Sequence, residues 1–266
     1  MSVESLDDNL TYLLVNKEEE TNLNRSILWI HGVGLDHSIF NSQINYFKDK
    51  NPCVYFDLLG HGRTRHHKKE KIELEDFAVQ IDQLLQYLNI DKVEAVIGFS
   101  LGSLIASYWI STRKKKTNKL VLLNSIFNRT PEEKSSALER FKIVQNEGID
   151  SAAQIKRWFS TDFIEKRPDV SDSISKILET NVHHEFLKAY ELFANFQNEM
   201  IDWDEITCKT LICTSKNDIG STVRMSEEMH ATIKNSSLTI IDNAAHLAII
   251  EKADQVNQIL EKFINS

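Results

Sequence analysis

The sequence has no long apolar run and very few cysteines. Over its 266 residues, no apolar segment approaches the roughly 20 residues that a membrane-spanning helix needs, so an integral membrane protein is not expected. The three cysteines, Cys53, Cys208 and Cys213, show no C-x-x-C spacing. This pattern predicts neither a disulfide framework nor a zinc site, and we expect the cysteines to be small residues of the core.

Positive charge is also scarce. The 31 lysines and arginines are outnumbered by 39 aspartates and glutamates, and the formal net charge is -8 at pH 7. Because binding to phosphates requires a basic surface, nucleic acid is not an expected partner. The one basic cluster, at residues 63–71, is interpreted as a solvated loop.

The first ten residues do not resemble a secretory signal. They contain Glu4, Asp7 and Asp8, and they lack the basic start and apolar core that are typical of such signals. Together with the few cysteines and the lack of a membrane span, this pattern predicts a cytoplasmic protein with no membrane partner.

Glycine is rare, and two of the eight glycines fall in one five-residue pattern. Residues 98–102 read Gly-Phe-Ser-Leu-Gly and lie between an apolar run, 93–97, and a helix-like stretch. At this composition, G-x-S-x-G is expected by chance roughly 0.02 times. On a sharp strand-to-helix turn, small flanking residues avoid steric clashes and the serine is exposed above the sheet. The pattern predicts a nucleophile elbow with Ser100 as nucleophile; the alternative is an ordinary tight turn of a parallel sheet.

Strand-like apolar runs alternate with helical patterns, which predicts an α/β fold with a mostly parallel twisted sheet and helices on both faces. Apolar residues recur at helical spacing over residues 77–88, a further helix is expected after Ser100, and a last one covers about residues 252–264. The composition, 41% hydrophobic and 26% charged, fits one large globular domain or a domain with an inserted lobe. The six predicted strands comprise residues 26–30, 53–56, 93–97, 120–123, 210–214 and 238–241.

The alternation stops in the middle of the chain. Residues 127–199 contain helical periodicity and no convincing strand. We therefore predict a core made of residues 1–126 and 200–266, with residues 127–199 inserted as a helical cap. Because open α/β sheets bind ligands at the carboxyl ends of their strands, such a cap is expected to cover the site of Ser100.

A nucleophilic serine needs a base, and the base needs an orienting group. His246 follows the last predicted strand across a short turn of small residues, which brings it to the same sheet edge as Ser100. Asp218 lies on the loop after the preceding strand and is the favoured acid. Asp57 and Asp242 also follow strands and remain alternatives. The order Ser, Asp, His along the chain is the order found in α/β-hydrolases.

The oxyanion of an acyl-transfer reaction needs backbone donors aimed at one point. The amide of Leu101, directly after the nucleophile, is one candidate. The loop 31–34, His-Gly-Val-Gly, follows an early strand, and the amide of Val33 is the second candidate. The alternatives for this loop are a plain tight turn or a phosphate loop, but the lysine of a phosphate loop is absent.

These motifs together resemble the α/β-hydrolase superfamily over nearly the whole chain. The segments that carry the resemblance are 31–34, 57–64 (Asp-Leu-Leu-Gly-His-Gly-Arg-Thr), 98–102, the Asp218 loop and 245–246 (Ala-His). The resemblance implies an α/β-hydrolase fold, a triad of Ser100, Asp218 and His246, and no metal or other cofactor. It also implies an oxyanion hole formed by the amides of Val33 and Leu101.

Within the superfamily, the chain is most similar to the 3-oxoadipate enol-lactonase-like and carboxylesterase-like branch. The closer likeness includes the segments 157–159 (Arg-Trp-Phe), 162–163 (Asp-Phe) and 245–251. Three positions depart from the usual pattern of this branch: Phe40 replaces a common tryptophan, Thr64 a serine and Lys209 a proline. None belongs to the predicted triad, so the departures concern the subfamily and its substrate.

The leading hypothesis is hydrolysis of a small carboxylic ester or lactone through an acyl-enzyme. A lactone that carries a carboxylate would need a cation in the pocket, and Arg157 beside Trp158, or Arg140, could supply it. The same scaffold could instead serve a sensor that binds a small ligand. A carbon–carbon bond hydrolase, a perhydrolase or an acyltransferase could use the same triad.

Overall fold

A sheet of eight strands forms the centre of the described structure, a computed structural model that describes residues 3–7, 10–15, 22–64, 69–113 and 117–266. The strands are β1 Val3–Asp7, β2 Leu10–Val15, β3 Ile27–Ile30, β4 Cys53–Phe56, β5 Val93–Phe99, β6 Thr117–Leu123, β7 Lys209–Ser215 and β8 Ser236–Ile241. Their order across the sheet is β1-β2-β4-β3-β5-β6-β7-β8. The strands β3 to β8 pair in parallel, and β1 and β2 are antiparallel additions at one edge.

The described residues also form eleven α-helices, which cover the sheet and the carboxyl ends of its strands. They are α1 Asn41–Phe47, α2 Leu74–Tyr87, α3 Leu101–Arg113, α4 Pro131–Glu147, α5 Ser151–Trp158, α6 Thr161–Lys166, α7 Pro168–Thr180, α8 His183–Asn195, α9 Val223–Thr232, α10 Ala248–Glu251 and α11 Ala253–Ile264. None of these described helices is long and apolar enough to cross a membrane. The predicted α/β fold with a mostly parallel sheet is confirmed.

Alternation of side chains along the central strands divides the core into two layers. In β3, Leu28 and Ile30 pack with residues of α2 and α3 on one face, whereas Ile27 and Trp29 pack with residues of α1 and α11 on the other. All four side chains are buried. A strand that is covered on both faces has no polar side, which is why β3 and β4 are continuous apolar runs in the sequence.

The two amino-terminal strands were not among the predicted strands. Residues 3–7 carry Glu4 and Asp7, a composition that does not favour a buried strand. Their pairing depends instead on a distant segment, because β2 lies antiparallel to β4, about 40 residues further along the chain. Such an edge pairing leaves little local signal in the sequence.

The helices α4 to α8 all lie between β6 and β7, and the described residues 124–208 contain no strand. Local sequence sets where these helices begin. Thr130 and Glu133 form a capping box around Pro131 at the start of α4, and the side chain of Asp150 caps α5. Ser160 caps α6 in the same way.

Candidate active site

Ser100 stands on the turn between β5 and α3 with its backbone in the left-handed region, at φ 54°. A Cβ atom on Gly98 would lie 2.3 Å from the carbonyl oxygen of Gly102, and one on Gly102 would lie 2.1 Å from the carbonyl oxygen of Ile30. Only glycine fits at both positions. The turn is held by the Ser100 amide, which donates to the carbonyl of Leu123 over 2.9 Å. A strained turn in a non-glycine residue is typical of functional sites.

Asp218 and His246 are joined by a short hydrogen bond. Asp218 Oδ2 lies 2.6 Å from His246 Nδ1, and the same oxygen accepts from Asn124 Nδ2 at 2.8 Å. Asp218 Oδ1 accepts from the amides of Gly220 and Ser221 at 2.8 Å and 3.0 Å. Burial raises the pKa of Asp218, but the charge of His246 and these hydrogen bonds outweigh burial and leave the pKa below its ordinary value. Asp218 is therefore a carboxylate at neutral pH.

The two other candidate acids have different partners. Asp57 is buried, and its carboxylate accepts from the amide and Nδ1 of His37 and from the amide of Arg63, at 2.9, 2.7 and 2.9 Å. Asp242 is exposed and pairs with Lys216 at 3.2 Å. Of the three candidates, only Asp218 contacts His246.

The loop that carries His246 is attached to the helices inserted after β6. The amide of Leu247 donates to the carbonyl of Trp158 over 2.9 Å, and the ring centroids of Trp158 and His246 lie 6.1 Å apart. Glu251 accepts from the amide of Ala245 at 3.1 Å and from the hydroxyl of Ser160. These contacts fix the imidazole relative to the junction of α5 and α6.

Asn124 is a site residue that the sequence does not identify. It follows β6 at φ 48°, a backbone conformation that asparagine tolerates better than most residues. Its side-chain amide donates to Asp218 and, over 3.1 Å, to the hydroxyl of Ser215. A polar residue at the carboxyl end of a central strand was the available signal, but only its partner reveals its use.

The three predicted residues Ser100, Asp218 and His246 line one pocket. The hydroxyl of Ser100 makes no hydrogen bond to any described residue. The ring centroid of His246 lies 5.0 Å from that of Phe99. Trp158 and Arg157, the predicted substrate contacts, lie on the same wall.

The loop 31–34 lies directly against Ser100. A Cβ on Gly32 would be 3.1 Å from Ser100 Cβ, and Val33 lines the pocket. In the described part of the chain, neither the amide of Val33 nor that of Leu101 donates to a protein acceptor. Both amides are thus available to a ligand.

His31 supports this loop and does not compete as a base. Its Nε2 accepts from the amide of Leu58 at 2.9 Å, so the proton is on Nδ1, which donates to the carbonyl of Gly32 over 2.8 Å. Burial, followed by the nearby charge of His61, lowers the pKa of His31 to about 3. The ring therefore stays neutral and both of its nitrogens are occupied.

The arginines near the site include one that the sequence does not identify. Arg157 and Arg140, the two cations considered from the sequence, both line the pocket, and Arg129 joins them. The residues that the structure describes contain no group of three or more histidine, cysteine, aspartate or glutamate side chains that could hold a metal ion. The three cysteines are free thiols.

Comparison with known proteins agrees with this architecture. The chain is 27% identical over 241 residues to (E)-2-((N-methylformamido)methylene)succinate hydrolase of Acinetobacter baylyi, with 90% of each chain covered. It is 25% identical over 244 residues to 3-oxoadipate enol-lactonase 1 of the same organism, covering 91% of this chain and 89% of the relative.

Solved structures show the same fold. The enol-lactonase from Burkholderia xenovorans LB400 superposes with a TM-score of 0.87 at 20% identity, over 97% of this chain and 96% of that one. The model of the family described as alpha/beta hydrolase fold matches residues 25–253. By this match over most of its length, the chain belongs to the alpha/beta hydrolase fold family.

Proposed function

We propose that the protein is a cytoplasmic serine hydrolase that cleaves a small carboxylic ester or lactone through an acyl-enzyme. Ser100 is the nucleophile, His246 the general base and Asp218 the orienting acid. The observation that carries the proposal is the 2.6 Å hydrogen bond between Asp218 and His246 on the wall of the pocket that Ser100 also lines. The names of the relatives, a hydrolase and an enol-lactonase, support the same class of reaction.

In the first step, His246 Nε2 takes the proton of the Ser100 hydroxyl while Ser100 Oγ attacks the carbonyl carbon of the substrate. Asp218 keeps the other proton of the imidazole on Nδ1, so that Nε2 presents its lone pair. The hydrogen bond between Ser100 and His246 forms when the substrate is bound, because catalytic hydrogen bonds are often long in free enzymes and shorten in the complex.

The carbonyl oxygen becomes an oxyanion during the attack. The amides of Val33 and Leu101, which have no protein acceptor in the described chain, donate hydrogen bonds to it. The tetrahedral intermediate then collapses, and the leaving alkoxide takes the proton from His246. A water molecule, deprotonated by His246, attacks the acyl-enzyme in the same way and releases the carboxylic acid and free Ser100.

We further propose that residues 127–199 act as the cap of this site. Much of the pocket wall comes from this segment, including Val144 of α4, Leu178 of α7 and Phe186 of α8. The apolar side chains among these residues limit the access of water to the acyl-enzyme. The cap thereby selects the substrate, while the sheet edge carries out the chemistry.

The proposal is tested with the hydrolysis of p-nitrophenyl acetate. We expect the wild-type protein to complete many cycles per molecule and Ser100→Ala to lose several orders of magnitude in kcat. Ser107→Ala is the matched control, because Ser107 is buried on α3 and its hydroxyl has no hydrogen-bond partner in the described structure. Equal activity of Ser100→Ala and Ser107→Ala contradicts the proposal. A single stoichiometric burst from the wild type indicates a ligand-binding sensor instead.

A further inference from the structure

Three arginines line the pocket of Ser100, and no described carboxylate forms an ion pair with any of them. Arg129 precedes α4, Arg140 lies on α4 and Arg157 lies on α5. Arginines outside the pocket do form such pairs: Arg113 with Glu75 and Asp82, Arg167 with Asp169, and Arg224 with Glu133 and Glu228. In contrast to these three, the guanidinium groups of the pocket form no ion pair with a described carboxylate.

The one carboxylate among the described residues of the pocket wall forms no ion pair with these arginines. That carboxylate belongs to Asp218, whose two oxygens already accept hydrogen bonds from four groups, including His246. The positive charge of the pocket is therefore available to a ligand.

Arg140 is the one of the three whose charge acts on both of the others, and we refer to Arg157, Arg140 and Arg129, in this order, as the row. Burial and then the charge of Arg140 lower the pKa of Arg129 to about 10, and the same two causes lower the pKa of Arg157. Arg129 and Arg157 still carry a full charge at neutral pH, because an arginine side chain stays protonated far above that pH. Burial raises the pKa of Tyr190, and the charges of all three arginines oppose this rise, which places the hydroxyl beside the row.

The two ends of the row have different surroundings. At the Arg157 end, a Cβ on Gly220 would lie 3.9 Å from Arg157 Nη2, so this guanidinium adjoins the Asp218 loop. At the other end, Arg129 Nη1 donates to the carbonyl of Phe193 over 2.8 Å, and its guanidinium carbon lies 4.8 Å from the centre of the Phe193 ring. The row therefore runs from the catalytic residues into the segment between β6 and β7.

Like charges held together in a partly buried pocket repel one another, and a bound anion removes this repulsion. Guanidinium groups bind carboxylates through paired hydrogen bonds. A row of three suits an elongated ligand with separated charges better than a compact one such as phosphate. The apolar side chains of Val144, Leu178 and Phe186 on the same wall suit a carbon chain between the charges.

We propose that the row of Arg157, Arg140 and Arg129 binds a substrate that carries two carboxylates on a short carbon chain. The ester or lactone cleaved at Ser100 is then the derivative of an acid with these further carboxylates. This inference rests on the proposed function for the reaction, but the binding of the dianion does not require turnover.

Calorimetry on Ser100→Ala tests the binding without catalysis. The ligands are the straight-chain dicarboxylates from succinate to adipate, the monocarboxylates butyrate and hexanoate, and inorganic phosphate. We expect at least one dicarboxylate to bind about tenfold or more tightly than the monocarboxylate of equal length, and more tightly than phosphate. Arg140→Gln should remove this preference, whereas Arg167→Gln, on the exposed surface, should keep it.

Equal binding of dicarboxylates and monocarboxylates overturns the inference, and so does tighter binding of phosphate. The same inhibitors are also added to wild-type enzyme that hydrolyses p-nitrophenyl acetate, where the preferred dicarboxylate should inhibit competitively. Tight dicarboxylate binding in a protein that has no esterase activity upholds the anion site and contradicts the hydrolase. Esterase activity without dicarboxylate binding upholds the hydrolase and contradicts the anion site.

Discussion

Two buried aspartates each hold a histidine by its Nδ1 atom, yet only one of these pairs faces the pocket. Asp218 lies 2.6 Å from His246 after β7, and Asp57 lies 2.7 Å from His37 after β4. His246 and Asp218 line the pocket with Ser100, whereas His37 and Asp57 are not among the described residues of its wall. An Asp–His pair at a strand end is therefore not by itself a catalytic device.

The remaining hydrogen bonds show what the second pair does. Asp57 accepts from the backbone amides of His37 and Arg63, and a Cβ on Gly62 would lie 2.3 Å from its Oδ2. Gly62 itself has a φ of 54°. Asp57 thus holds the turn after β4 against the segment that leads into α1, and its role is structural. The Asp218–His246 and Asp57–His37 pairs thus differ in their position relative to Ser100 and not in the hydrogen bond within the pair.

The largest expected effect comes from comparing the same substitution, aspartate to asparagine, at Asp218 and at Asp57. Asp218→Asn should lower kcat of ester hydrolysis by about 10⁴-fold, because an amide can hold the imidazole in the wrong tautomer. Asp57→Asn should keep kcat within about tenfold but lower the free energy of unfolding by about 3 kcal/mol, since a buried charge partner is lost. Steady-state kinetics and urea unfolding of both variants provide the measurement. Similar losses of kcat in the two variants would remove the distinction.

A smaller effect is expected from the contact of the Asp218–His246 pair with Asn124. Asn124→Gly removes the donor to Asp218 but keeps a residue that tolerates positive φ, and kcat should fall about tenfold with KM unchanged. Asn89, exposed at the end of α2 with a φ of 54°, supplies the control Asn89→Gly, which should leave kcat as it is. A rise in KM without a fall in kcat would assign Asn124 to substrate binding instead.

The smallest expected effect is the dependence on pH of the stability that the His37–Asp57 pair confers. Burial lowers the pKa of His37, but the hydrogen bond and charge of Asp57 outweigh burial and leave it above the ordinary value. The stabilisation is therefore complete below the pKa of an unfolded histidine and is lost as the pH rises through the raised pKa. The pKa of Asp57 is lowered, so on the acid side the stabilisation is lost only as the pH falls through that lowered value.

Urea unfolding of the wild type and of His37→Asn, from about pH 6 to about pH 9, measures this contribution. The difference between the two proteins in free energy of unfolding should shrink as the pH rises. A difference that stays constant or grows with pH contradicts the assigned ion pair.

Much of the fold could be predicted because the buried parallel strands and the elbow are local signals. The buried apolar residues of β3 to β7 and the glycines around Ser100 each reflect local packing within a few residues of the chain. The edge strands β1 and β2 escaped prediction because their pairing with β4 involves residues distant in sequence. What the sequence cannot show is which polar groups meet across elements.

In the candidate site, too, local sequence signals could be predicted, whereas contacts between distant residues could not. Asp218 could be favoured over Asp57 and Asp242 because it lies on the loop after the strand that precedes the His246 strand. Its contact with His246 depends on two loops from different strands. Asn124 and Arg129 are ordinary polar residues in the sequence. The role of Asn124 arises from a partner that lies 94 residues away in the sequence. The interest of Arg129 is that its guanidinium lines the pocket and forms no ion pair with a described carboxylate.

The close approach of Gly102 to the carbonyl of Ile30 connects the turn that carries Ser100 with the strand that leads into the loop 31–34. β3 ends at Ile30 and leads directly into the loop 31–34. The first turn of α3 packs against the same residue, because a Cβ on Gly102 would lie only 2.1 Å from the carbonyl oxygen of Ile30. The turn of Ser100 and the loop 31–34 therefore share one contact, and we expect a displacement of that contact to move both together. Because the helices between β6 and β7 line the pocket without forming that contact, we expect changes in these helices to alter the pocket without displacing Ser100 from the loop 31–34.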